Sequence, residues 1–396
     1  MSESPVSSWR TDWDHGDPAW AADPFAIWAD LRDQCPVART ERYGGGVMPT
    51  TWDLIDEVTH DPGVYSSRET GVRPPGTNTK KSPPITSDPP EHQDHRRILL
   101  PSFAPQAIAR LEDGIRSYCR RLIADAQGQP QFDAARAYSR HIPTRAIVGL
   151  LGLPDGDAEM FRSWVKAIME EGHVDPAARE RATAELKAYL LPIIDKRRGT
   201  DGDDVLTVVA NAELGGAPLS DEMAVGMAYL LVVAGIDTTW SALGTALWHL
   251  GTHPDDLARL VADPDLIPAA VEEFLRLYAP VSVGRIAAAE TSLGGCPVKA
   301  GDRVLVPFGS ANRDAAHFDR PDEFVVDRES NRHAAFGLGI HRCLGSNLAR
   351  LELRVALEEW IAAFPRFRVV DPAAVTWTLG HVRGPHAVDI DILEGD

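Results

Sequence analysis

Cys343 lies in the stretch Phe336-Gly337-Leu338-Gly339-Ile340-His341-Arg342-Cys343-Leu344-Gly345, with three glycines around a single sulfur. Glycine has no Cβ, so such a loop can turn tightly and bring backbone N–H groups close to the cysteine. A long helical pattern over 344–364 follows at once and aims the positive end of its dipole back at the sulfur. Both features favour thiolate over thiol, the form that ligates a metal or acts as a nucleophile. A buried free cysteine in a turn is the other reading of these residues.

Further clusters hold residue types that local structure does not ask for. Asp88-Pro89-Pro90-Glu91-His92-Gln93-Asp94-His95-Arg96-Arg97 opens a helix with proline near its first turn. His92 and Arg96, four apart, share one helical face, where two donors suit carboxylates and arginine can hold one bidentately. Taken alone, such a pair is usually just a solvated face. Ala234-Gly235-Ile236-Asp237-Thr238-Thr239 sits in the middle of the longest helical pattern. A glycine there costs about 1 kcal/mol relative to alanine. Local rules broken inside a buried helix mark function, or else a bend with a threonine bonded back to its own carbonyls. Glu273-Phe274-Leu275-Arg276 adds an i,i+3 acid–base pair, worth only tenths of a kcal/mol at a surface.

The elements that must position these groups are mostly helical. Residues 1–40 mix Trp and Asp with short amphipathic pieces such as 24–32; 43–50 and the region of Val64 read as strands or turns beside a helix over 51–59. Segment 66–90 is rich in Pro, Gly, Ser and Thr, and a loop of that length is usually functional or disordered. Helices are predicted over 105–127, 138–149, 158–171 and 177–198. Asp201-Gly202-Asp203-Asp204 reads as a solvated acidic turn, because the ligand spacing of a calcium loop is missing. The longest helix runs from an N-cap at Ser220, with Asp221 and Glu222 in its first turn, to about 251. A helix over 268–278 leads into strands at 280–285, 291–293, 296–298 and 303–307; strands or turns at 367–370, 376–379 and 387–392 close the chain.

Composition narrows the classes. The 396 residues carry 40 basic and 58 acidic side chains, a formal charge of −18. That field repels phosphate backbones and anionic lipid, so neither nucleic acid nor a membrane surface is an expected partner. Cysteines 35, 119, 296 and 343 are scattered, which fits a reducing cytoplasm and argues against structural zinc. Met1-Ser2-Glu3-Ser4-Pro5 lacks the basic and apolar regions of a secretory leader. The most apolar stretch, 227–234, reads as too short to span a bilayer.

Phe336-Gly337-x-Gly339-x-His341-x-Cys343-x-Gly345 resembles the haem-binding loop of the cytochrome P450 superfamily at every fixed position. The resemblance extends to Asp88-Pro89-Pro90-x-His92-x-x-x-Arg96, Ala234-Gly235-x-Asp237-Thr238-Thr239, Glu273-x-x-Arg276 and Pro321-Asp322-Glu323-Phe324, and so spans most of the chain. It implies the soluble bacterial type: one domain over 1–396, mainly α with small β-sheets (α+β), with 66–90 as a substrate-access loop. It implies haem b, iron protoporphyrin IX, with Cys343 as the metal ligand and Phe336, Gly337, His341 and Gly345 around it. His92, Arg96 and Arg285 would reach the propionates. Ala234 and Gly235 would border a kink or groove for O2, Thr238 would donate a hydrogen bond to it, and Asp237 would help relay protons. Arg328 would join Glu273 and Arg276 in a structural trio. A thiolate ligand pushes electron density onto iron and favours O–O cleavage.

The activity implied is that of a monooxygenase that hydroxylates or otherwise oxidises a small to medium, largely apolar organic substrate, with O2 and electrons ultimately from NAD(P)H. About 50 residues follow Cys343 without a flavin or iron–sulfur pattern, so separate ferredoxin and ferredoxin reductase are the expected donors. Arg342 and Arg97 offer them a local basic patch, or else are simply solvated surface residues. The expected state is a cytoplasmic monomer. Two alternatives stand beside this: an H2O2-driven peroxygenase, against which the intact Asp237-Thr238 pair argues, and a non-catalytic haem-based gas or ligand binder. By the same resemblance Leu230, Val233, Ala234 and Val281 form an apolar wall, and Ser282, His381, Arg73 or Lys80 add a polar anchor. Most pockets are apolar with a few polar groups, so this wall does not select a substrate.

Overall fold

Residues Asp221–Thr252 form one unbroken helix of 32 residues, and the rest of the fold is arranged around it. The structure is a computed structural model, and it describes residues 4–72, 81–173 and 175–393. Ser220 caps this central helix as its spacing predicts, its side chain accepting from the Met223 N–H, with Asp221 and Glu222 in the first turn. Such a cap is worth about 1 kcal/mol. By length and composition the helix could cross a membrane, which corrects the estimate from 227–234 alone; 61% of its apolar window is buried within the protein, as in a core helix.

Helices His141–Leu150, Ala158–Met169 and Pro176–Arg197 pack along the central helix. On another side Ser346–Ala363, the helix that follows the cysteine loop, packs on Glu112–Ala126 and Ile267–Leu277. Trp360 and Tyr138 are almost wholly buried where these layers meet, and the Tyr138 hydroxyl donates to the Ala356 carbonyl at 2.8 Å. Each fully buried large apolar side chain contributes roughly 1.5–3 kcal/mol.

A five-stranded sheet borders this body in the order Val37–Thr40, Gly46–Pro49, Arg303–Pro307, Ser282–Ala287, Tyr65–Ser66. Arg303–Pro307 runs parallel to Gly46–Pro49 and antiparallel to Ser282–Ala287, with Arg285 opposite Val304. Side chains alternate along a strand, so Val281, Val283 and Arg285 share one side of this segment and Ser282 takes the other.

Several boundaries differ from the sequence reading. The helix expected over 105–127 is two, Pro105–Ala109 and Glu112–Ala126, because the Leu111 N–H turns back to the Ile108 carbonyl, one residue short of the helical partner. Asp204, taken for a solvated turn, caps a short helix, Val205–Ala210, and pairs with Arg197. Over 376–379, read as a strand or a turn, the described residues form a single bridge, Trp377–Pro385, and the Trp377 ring stacks on the Arg383 guanidinium 3.8 Å away. A three-stranded sheet adds Gln131–Asp133, between the helices predicted over 105–127 and 138–149, to Phe367–Val369 and Asp389–Ile392.

Candidate active site

The cysteine loop owes its shape to glycines at left-handed positions. Gly337 has φ +72° and Gly339 φ +65°, conformations costly for any residue with a Cβ. Gly339 also lies against the Thr59 carbonyl, where a Cβ has no room. The Cys343 N–H donates to the Phe336 carbonyl at 2.7 Å, closing the loop, and the Gly345 N–H donates to the sulfur. Cys343 is open on its cavity side and surrounded by protein elsewhere. Burial pushes its thiol up; the Gly345 N–H and the charges of Arg96, Arg342 and Arg350 act the other way. A sulfur in this setting is a good ligand for a cation and a poor free thiolate.

The cavity into which Cys343 opens contains about 1460 Å³ of empty space, part of it continuous with solvent. One rim gathers four donors. The rings of His92 and His341 lie 4.3 Å apart, and neither Nε2 has a hydrogen-bond partner although both are buried. Arg285 is 5% exposed, donates only to the Gly284 carbonyl and has no carboxylate partner among the described residues. Burial lowers its pKa to about 10, against the charge of Asp88. Arg96 donates to the Arg342 carbonyl at 2.7 Å. Buried donors without acceptors are costly, and two carboxylates of a porphyrin edge would satisfy them. The residues fit a haem: sulfur for the iron, a glycine-lined floor, and donors for the propionates.

On the central helix Leu230, Leu231, Ala234, Gly235, Thr238, Thr239 and Ala242 line the cavity, a stripe at helical spacing. The kink implied by the resemblance does not break this helix. The Thr238 hydroxyl donates to the Ala234 carbonyl at 2.9 Å and its side chain still faces the cavity, so back-bonding and site placement hold together. Gly235 allows close packing: a Cβ there would come within 2.8 Å of Ile147 Cγ1. Asp237 does not line the cavity and is 3% exposed. Its carboxyl is pushed up to about 8, by burial first and by the Glu170 charge next, against Arg140 and a hydrogen bond from Trp240.

Glu273 and Arg276 are wholly buried and joined by two 2.8 Å hydrogen bonds, and Arg328 reaches Glu273 at 3.1 Å. Arg276 donates to the Asn312 carbonyl, and Asn312 accepts from the Ala334 N–H just before the cysteine loop. The trio is therefore scaffolding that fixes where Cys343 sits. Its neighbour Glu272, unremarked in the sequence, ties His333 to Arg350 on the helix after the loop. Burial raises its carboxyl, and hydrogen bonds from His333 and Arg350 hold it down at about 2.

Three of the residues assigned to the substrate wall are absent from the cavity lining: Val233, Ser282 and His381. Val233 lies off the helical stripe and packs on the core. Ser282 has the wrong strand parity beside Val281, which does line the cavity together with Leu230. His381 is used up as a strut, with Nδ1 against the Ser282 carbonyl and Nε2 accepting from the Val72 N–H at 3.2 Å. Arg73 and Lys80 lie outside the described residues. From segment 66–90, Pro84 and Ile85 reach the cavity. Sequence reasoning also missed Glu352, which faces the cavity with neither carboxyl oxygen hydrogen-bonded among the described residues. Burial drives that carboxyl well above its usual range. A lone glutamate in an amphipathic helix gives no signal of this.

The sequence profile described as Cytochrome P450 matches residues 175–372. A Mycobacterium tuberculosis protein named putative cytochrome P450 126 is 38% identical over 89% of both chains. Cytochrome P450 monooxygenase PikC of Streptomyces venezuelae is 33% identical, over 90% of this chain and 88% of its own. Among solved structures, that of CYP101J2 superposes over the whole of both chains with a TM-score of 0.89 at 28% identity.

Proposed function

Because the chain belongs to the cytochrome P450 family of monooxygenases, we propose that it inserts oxygen from O2 into a largely apolar organic molecule, using haem b held by Cys343. The observation that supports this most is that Cys343 and Thr238 open into one cavity whose rim carries unsatisfied propionate donors. When bound, a thiolate-ligated haem supplies the redox chemistry and the O–O cleavage. The chain's own residues do the rest. Leu230, Val281, Val283, Pro84 and Ile85 exclude water and offer a substrate only apolar contact, so shape more than charge selects it. Segment 66–90, to which Pro84 and Ile85 belong, is the access loop. Thr238 holds a hydroxyl at the cavity surface, and Asp237, which keeps a proton at neutral pH, resupplies it.

Electrons come from NAD(P)H through a separate ferredoxin and reductase in the cytoplasm, to a monomer. Arg342 and Arg97 are exposed near the cysteine loop, Arg97 paired with Asp94 at 2.8 Å, and the apolar Leu100 and Ile340 are exposed beside them. A basic and apolar patch on a chain of net charge −18 suits an acidic ferredoxin. The test is turnover with ferredoxin and reductase against turnover with H2O2 alone. The reductase route is expected to dominate, and Thr238→Ala is expected to keep its haem but release most electrons as peroxide. Equal coupling in the variant, or full activity with peroxide only, would favour the peroxygenase.

A further inference from the structure

Asp237 is too deeply buried to recover a proton from water directly, so another group must bring it one. The groups around it come from separate elements: Glu170 at the end of Ala158–Met169, Arg140 at the start of His141–Leu150, and Trp240 one turn along the central helix. Arg140 Nη2 lies 3.3 Å from Glu170 Oε1, and its guanidinium sits 5.4 Å from the Trp240 ring. The same Nη2 donates to the His386 carbonyl at 3.3 Å, while His386 Nδ1 lies 3.9 Å from the other Glu170 oxygen. Exposure rises outward along this series, from 3% for Asp237 to 7% for the Glu170 side chain and 42% for that of His386.

We propose that His386 and Glu170 form the proton supply line of Asp237, with Arg140 as the positioning residue that holds Glu170 in place. This rests on the reading of Asp237 as a relay and names the route behind it. One proton and no electrons move per step. Asp237 releases its carboxyl proton toward the cavity, and the carboxylate left beside the Glu170 charge is disfavoured by like-charge repulsion. A proton then passes from His386 to Glu170, across the 3.9 Å between Nδ1 and Oε2, and on to Asp237. His386 recovers its proton from solvent; imidazole is the side chain suited to such a shuttle. The Glu170 charge, one of the groups that push Asp237 up to about 8, also keeps that proton available at neutral pH.

The experiment uses the holoenzyme with ferredoxin and reductase, in Glu170→Gln, His386→Gln and Asp237→Asn. The infrared band of the protonated Asp237 carboxyl, identified by its loss in Asp237→Asn, is titrated with pH. In Glu170→Gln its midpoint is expected to fall by about one unit, a tenfold weaker proton affinity. His386→Gln is expected to keep the folded haem spectrum, lower product formed per NADH several-fold and enlarge the solvent deuterium isotope effect. An Asp237 midpoint unmoved in Glu170→Gln, or parental coupling in His386→Gln, overturns the route. If Asp237→Asn itself couples normally, the relay reading fails as well, which separates the two outcomes.

Discussion

Asp237 shows what burial does to a single carboxyl. Its pKa in the folded chain, about 8, stands above the ordinary 3.8. Between those values the folded state binds one more proton than the unfolded chain, so this residue's contribution is full below pH 3.8 and is lost as pH rises through 8. The loss amounts to about a few kcal/mol at alkaline pH. Asp237→Asn has no such titration, and thermal melts from pH 5 to 9 are expected to show the variant losing less stability than the parent; parallel curves would contradict the assignment. At this scale the sequence is most legible where spacing is rigid. Cys343, His92, Arg96 and Arg285 all face one cavity, as their motifs imply. Val233 and Ser282 lie off the cavity for local reasons: Val233 packs on the core, and Ser282 has the opposite strand parity to Val281 and Val283, which line it. His381 fails because its hydrogen bonds run to backbone that is remote in sequence.

At the scale of elements, the central helix is both core and cavity wall, and Gly235 serves the two roles. It is part of the cavity stripe, and it lets Ile147 come close from the neighbouring helix. Gly235→Ala, favourable by helix propensity, is expected to destabilise the fold by about 1–3 kcal/mol through overpacking. Ile147→Val removes the nearest methyl, so the double variant is expected to recover part of that loss in urea melts. Simple addition of two losses would argue against the contact. The long helices were legible because many periodic residues vote for each boundary. Val205–Ala210 and Gln131–Asp133 were not, since a six-residue helix and a three-residue strand draw their stability from partners far along the chain.

Over the whole molecule, the ordering of groups around Cys343 depends on links of long sequence separation. Glu273, Arg276, Asn312 and Ala334 pass position from the helix Ile267–Leu277 to the loop, and the Arg285 strand supplies the rim. The family motifs announce the ends of these links but not the Glu272–Arg350 tie, the unpartnered Glu352, or the Arg140–Glu170–His386 series. Those arise only when separate helices meet. All of the chemistry assigned to the chain requires that Cys343, among four cysteines, be the iron ligand. The direct measurement is the absorption spectrum of the purified, reduced, carbon monoxide-bound protein, in the parent and in Cys343→Ser. The parent is expected to show the red-shifted Soret band of thiolate-ligated haem, and the variant to lose it. A parent spectrum of nitrogen-ligated haem, or a red-shifted band that survives the substitution, would contradict the account.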